Sequence, residues 1–116
     1  MPGGSDYQGP ATALERYREV VAASSGDAEV KGAKNPYTSR NGHMFSFLDR
    51  DGTMALRLSA ELIEEYGENH SAEPVIQYGS VMRGYVAIDE ELFEDVPALA
   101  GWFDRSHEWI GTLDPK

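Results

Sequence analysis

The spacing of apolar residues changes period several times along this chain, and each change marks an element. Leu14, Tyr17 and Val21 recur at three- and four-residue intervals, with Glu15, Arg16, Arg18 and Glu19 on the opposite side. That pattern predicts an amphipathic helix. Pro10 suits its first position, where a missing N–H costs nothing, and Gly26 can cap its far end. From Val30 to Gly42 the periodicity dissolves into turn formers, so an irregular stretch is expected, with at most a short strand near Glu29–Lys31. His43–Leu48 and Thr53–Leu58 then read as a hairpin joined by Asp49-Arg50-Asp51-Gly52. Met54, Leu56 and Leu58 alternate with Thr53, Ala55 and Arg57, and Phe45 and Phe47 are expected together on one face of the partner strand.

Ser59 is placed to cap a helix over Glu61–Glu68, with Leu62, Ile63 and Tyr66 as its apolar side. Val75–Tyr78 and Met82–Ile88 predict two further strands separated by Gly79-Ser80, with Met82, Gly84, Val86 and Ile88 sharing one face. Asp89 opens an acidic helical turn containing Leu92 and Phe93. A last helix begins near Pro97 and carries Leu99, Trp102, Phe103, Ser106, Trp109 and Ile110, closed by Gly111. The expected order is α-β-β-α-β-β-α. This predicts an α+β fold: an antiparallel sheet flanked by N- and C-terminal helices. Residues 1–9 are expected to form a flexible tail ahead of one domain over residues 10–116.

Composition narrows the function classes. The chain has 116 residues, no cysteine and a net charge of −10. Without cysteine there is no disulfide, thiolate metal site or thiol nucleophile. Nucleic-acid binding rests on phosphate neutralisation, which this acidity disfavours. No apolar run approaches the ~20 residues of a membrane span, and the start of the chain lacks the basic and apolar regions of a secretory signal. A cytoplasmic location is expected. The charge is unevenly spread: residues 31–58 hold five cations against two acids, a net +3 inside an acidic molecule.

Candidate chemistry is sparse. His43, His70 and His107 lie in no metal-ligand spacing, no phosphate-binding glycine loop or nucleophile elbow occurs, and the glutamate clusters at 61–68 and 90–95 fall on outward helix faces. We expect no metal, no cofactor and no catalytic residue. The basic, turn-rich segment remains. Lys31, Lys34, Tyr37 and Arg40, with Arg57, Arg83 and Tyr85 from later strands, could gather into a site for a small anion or an acidic partner.

Asn41-Gly42-His43-Met44-Phe45, the hairpin, Met54-Ala55-Leu56-Arg57-Leu58 running into a helix, Tyr85-Val86-Ala87-Ile88 and Leu92-Phe93-Glu94-Asp95 together resemble the TfoX N-terminal domain family over residues 12–113. Met44-Phe45 matches the early hydrophobic pair, Arg57 a basic position ending the second strand, and Tyr85 an aromatic of the last strand. The resemblance implies a helix–sheet–helix fold like that of YjbR-like proteins and type III secretion chaperones. Two departures limit it. The sequence stops at Lys116, before the second helical domain of the competence regulators, and Lys34–Ser39 replaces a glycine-rich opening, so a role in DNA uptake is not carried over. The expectation is a non-enzymatic interaction or regulatory domain with a protein partner or a second copy. The alternative is an anion-binding protein using Lys34, Tyr37, Arg40, Arg57, Arg83 and Tyr85.

Overall fold

A computed structural model describes residues 7–116. In chain order it contains α1 (Ala11–Ala23), β1 (Tyr37–Arg40), β2 (His43–Leu48), β3 (Met54–Arg57), α2 (Ala60–Tyr66), β4 (Glu73–Gln77), β5 (Ser80–Ala87), α3 (Glu90–Phe93) and α4 (Val96–Ile110). The strands form one antiparallel sheet in the order β1-β2-β3-β5-β4. The α+β class read from the sequence is therefore what the structure shows.

The helices begin where side chains satisfy their free N–H groups. Ser59 Oγ accepts from Leu62 N, Asp89 Oδ1 from Leu92 N, and Asp95 Oδ1 from Ala98 N. Pro10 sits one position earlier than expected, as the extended N-cap of α1. Within α1, Ala13, Tyr17, Val20 and Val21 are buried, and in α4 Leu99, Phe103, Ser106 and Ile110. These two helices are tied by the Ser25 amide, which donates to Asp104 Oδ1 at 2.7 Å. They cover one face of the sheet. Met54, Leu56, Leu58, Val86 and Ile88 meet them there in the core.

The core also holds a polar knot. The Tyr17 hydroxyl lies 2.7 Å from Ser46 Oγ, which lies 2.5 Å from Thr38 Oγ1, and all three residues are fully buried. Each hydroxyl satisfies another, so α1 is fixed in register on β1 and β2 without leaving a buried donor unpaired. Burial drives the Tyr17 pKa well above the usual phenol range.

Three local expectations need correction. First, the segment before Gly42 contains a real strand. Asn41 and Gly42 both adopt positive φ, 55° and 79°, which closes a tight hairpin between β1 and β2, while the expected strand near Lys31 shrinks to a single bridge with Tyr37. Second, Phe45 and Phe47 point to opposite faces. Thr38 pairs with Ser46 but Ser39 pairs with Met44, so Phe45 is the extra residue of a bulge. Its ring packs into the core against Phe103, with centroids 5.1 Å apart, whereas Phe47 meets Tyr85 on the other face. Third, Met82 does not follow Val86 and Ile88 into the core. Pro74 pairs with Val86 and Ile76 with Val81, so β5 uses more residues than β4 between the same two points. Gly84 absorbs the excess at φ +85°, a conformation that disfavours any side chain.

Of the expected tail, residues 1–6 lie outside the described residues. Tyr7 is packed, its hydroxyl donating to the Asp49 carbonyl.

Candidate functional site

Helices cover one face of the sheet, and the two bulges decide what the other displays. Phe47, turned outward by the first bulge, contacts the Tyr85 ring at 5.7 Å, and the Tyr85 hydroxyl donates to the Met44 carbonyl at 2.5 Å. That bond crosses from β5 to β2 and braces the open face. Burial raises the Tyr85 pKa, and the nearby Arg57 charge opposes the rise. Met82, re-aimed by the second bulge, joins Tyr37, Met44 and Phe47 in lining a groove of about 690 Å³. Asn35 and the Asp49–Asp51 turn line it from the β1–β2 side, and Ile76 and Tyr78 from the β4–β5 hairpin. Its volume falls within the roughly 300–1,000 Å³ of ordinary binding clefts.

The hairpin tip is the most unusual feature of the described surface. Ile76 is 59% exposed, Val81 61% and Tyr78 99%. Tyr78 also has φ 52°, and together with Gly79 at 79° it forms the same kind of turn as Asn41-Gly42. Asparagine tolerates this left-handed conformation, but for a bulky L-residue it costs about 1–2 kcal/mol. A large ring is thus held in a strained backbone and packs on nothing. Such outliers are reasons to look for function.

The residues singled out in the sequence are dispersed. Tyr37 and Tyr85 lie on the open face, and Tyr37 lines the groove. Lys34 is exposed and precedes the lining residue Asn35, and Arg83 is exposed on β5. Arg40 turns toward the helices, where its Nη1 donates to the His107 carbonyl at 2.8 Å and lies 3.2 Å from His107 Nδ1. Arg57 pairs with Tyr85 in the sheet, but its guanidinium lies over the Trp109 ring, 5.5 Å from the centroid. The structure brings Tyr37 near the groove and engages Arg40 and Arg57 on α4. Sequence reasoning missed Phe47, Met82, Ile76, Tyr78 and Val81. Placing the turn at Gly79-Ser80, one residue late, concealed that Tyr78 occupies it.

Two polar clusters lie elsewhere. His107 Nε2 is 3.6 Å from Asp27, and its ring packs on Phe45. Desolvation, and then the Arg40 charge, hold its pKa below the usual imidazole value. At the other end of α4, His70 stacks on Tyr66 and lies 3.4 Å from Asp89 Oδ2. The Tyr66 hydroxyl is buried beside Asp89 without a well-aligned hydrogen bond, and its pKa is pushed up to about 12, chiefly by burial. Among the described residues no group of three or more His, Asp and Glu could hold a metal ion, and no helix is long and apolar enough to cross a membrane. The Ser106 hydroxyl, next to His107 in sequence, is buried and donates to the Arg57 carbonyl.

Set against known protein families, curated proteins and solved structures, the chain matches none.

Proposed function

We propose that this domain is a cytoplasmic, non-enzymatic protein-interaction module that engages its partner through the open face of the sheet. One observation carries the reading: the hairpin tip presents Ile76 and Tyr78 to solvent at the border of a groove lined by Tyr37, Met44, Phe47 and Met82. Exposed aromatic and aliphatic groups beside an apolar cleft are the usual anchors of a protein interface. The lack of cysteine agrees with a reducing compartment. The motif order Asn41–Phe45, Met54–Leu58, Tyr85–Ile88 supports a TfoX N-terminal-like domain as the family proposal.

The alternative is a small anionic ligand held by Lys34, Tyr37, Arg40, Arg57, Arg83 and Tyr85. It has support from the exposed Lys34 and Arg83. The engagement of Arg40 with His107 and of Arg57 with Trp109 leaves it fewer cations.

A photo-crosslinking phenylalanine analogue at Ile76, compared with one at the exposed Glu15 of α1, tests the interface in the protein's native cells. The expected result is a discrete adduct with one protein from position 76 and none from position 15. Equal labelling at both positions, or none at 76, would refute the reading.

A further inference from the structure

The groove has a charged border that distinguishes between occupants. Most cations elsewhere are engaged within the fold: Arg16 with Glu19 and the Phe93 carbonyl, Arg40 with His107, Arg57 over Trp109, and Arg105 with Glu65 over Trp102. At the groove the situation is different. Arg50 lines it and Lys34 adjoins it, and neither meets an acid among the described residues. Lys31, bridged to Tyr37, reaches only Ser39 Oγ at 3.4 Å. The chain carries twenty acids against ten cations, so cations left free of them at an apolar cleft are suited to carboxylates from outside.

The acids at this border are partly occupied. Asp49 Oδ1 accepts from the Asp51 and Thr53 amides and builds the β2–β3 turn. Asp51 is the other acid lining the groove, and it is exposed. Counted with the adjoining Lys31 and Lys34, the border holds three cations (Lys31, Lys34, Arg50) against two acids (Asp49, Asp51), a local net charge of +1 on a chain of net charge −10. A second copy of the chain pairing face to face would bring two net charges of −10 together, which opposes association at long range. A polyanion such as RNA would meet these cations but would find Met44, Phe47 and Met82 in place of a phosphate track.

We propose that the groove receives a short linear segment of a partner protein, in which one or two large apolar side chains are flanked by Asp or Glu. The apolar anchors fill the cleft among Met44, Phe47 and Met82, whose thioethers adapt to varied shapes. Ile76 and Tyr78 close over them. Lys34 and Arg50 take the flanking carboxylates, which sets orientation and favours association at low salt. This inference rests on the interaction-module reading and specifies its partner.

The test is selection of short random peptides on the immobilised domain, followed by calorimetry with the enriched peptides. The expected result is enrichment of sequences combining an aromatic, Leu or Met with neighbouring Asp or Glu. Their affinity should fall about tenfold in Lys34→Glu/Arg50→Glu, and also when ionic strength rises from about 0.05 to about 0.5 M. Tyr78→Asn and Ile76→Ser, both at exposed positions that line the groove, should weaken binding without unfolding the domain. Apolar peptides that lack acids and ignore the charge reversal would overturn the acidic specificity while leaving the interaction module standing. A stable dimer by light scattering that buries the groove would overturn this proposal while leaving an interaction module whose partner is a second copy. Tight binding of a single-stranded oligonucleotide, or the absence of any peptide sensitive to the tip substitutions, would overturn the proposal and count against the module as well.

Discussion

Tyr78→Asn should make this protein more stable. Tyr78 has φ 52° and its ring is 99% exposed, so the folded state bears the backbone strain and receives no packing in return. A left-handed L-residue costs about 1–2 kcal/mol, and asparagine recovers part of that because its side chain suits this region. The net gain is therefore about 0.5–1 kcal/mol, with nothing to subtract for lost burial. For a domain of this size that raises Tm by roughly 2–4 °C. The reciprocal change is available within the same chain, since Asn41 is exposed and has φ 55° in the equivalent turn. Asn41→Tyr should lose a similar amount. The Lys116 amide bonds the Asn41 carbonyl at 2.8 Å, a backbone contact the side-chain change leaves intact. Urea unfolding of both variants and the wild type gives the comparison, with an unchanged m-value confirming that only the folded turn is affected. Destabilisation of Tyr78→Asn by a kcal/mol or more would mean that the ring packs in solution, and the free hairpin tip would have to be abandoned.

Other consequences are open to the same methods. A Cβ at Gly84 meets nothing nearer than Arg57 at 3.9 Å and one at Gly101 meets nothing within 4 Å, yet only Gly84 has positive φ, +85°. Gly84→Ala should therefore cost about 1–2 kcal/mol while Gly101→Ala, inside α4, gains about 0.5–1 kcal/mol; equal signs in denaturant titration would exclude backbone conformation as the cause. Ser46 joins Tyr17 to Thr38, so Ser46→Ala should cost about 1–3 kcal/mol and exceed Tyr17→Phe, and the double variant should be non-additive. His107 has a folded pKa below its unfolded value of about 6.5. The unfolded chain then binds the proton first, so its contribution is fully present above pH ~6.5 and is lost as pH falls through the folded value. His107→Gln should flatten that part of the stability–pH curve, and an unchanged slope would assign it to other groups.

The sequence made the helix-facing side of the sheet readable because period alone defines it. Met54, Leu56 and Leu58 alternate, Ser59 caps α2, and the Leu99–Phe103–Ser106–Ile110 stripe runs unbroken along α4. The open face was hidden for a physical reason. A bulge changes the parity of a strand, and every residue beyond it swaps faces. Phe45 and Phe47 look equivalent on a period of two, but Phe45 is the extra residue between Met44 and Ser46, and that separates core from groove. Likewise Met82 reads as a core partner of Val86 until Gly84 reverses it. One signal was available. Asn41-Gly42 is the commonest two-residue hairpin pair, and taking it at face value places β1 over Tyr37–Arg40, with Tyr37 opposite Phe47.

The bulges also separate what stabilises the fold from what it displays. Phe45 and Phe103 are fully buried, and burying such side chains contributes roughly 1.5–3 kcal/mol each. Val81 and Ile76 remain mostly in water. Replacing them therefore removes little that holds the domain together. The strained Tyr78 goes further, because there stability favours substitution. A position at which folding favours asparagine but the chain carries tyrosine is where the proposed interaction predicts a contact outside the folded core. Since the ring borders the same groove that Arg50 lines, that contact is best sought in a second molecule bringing both an apolar anchor and a negative charge.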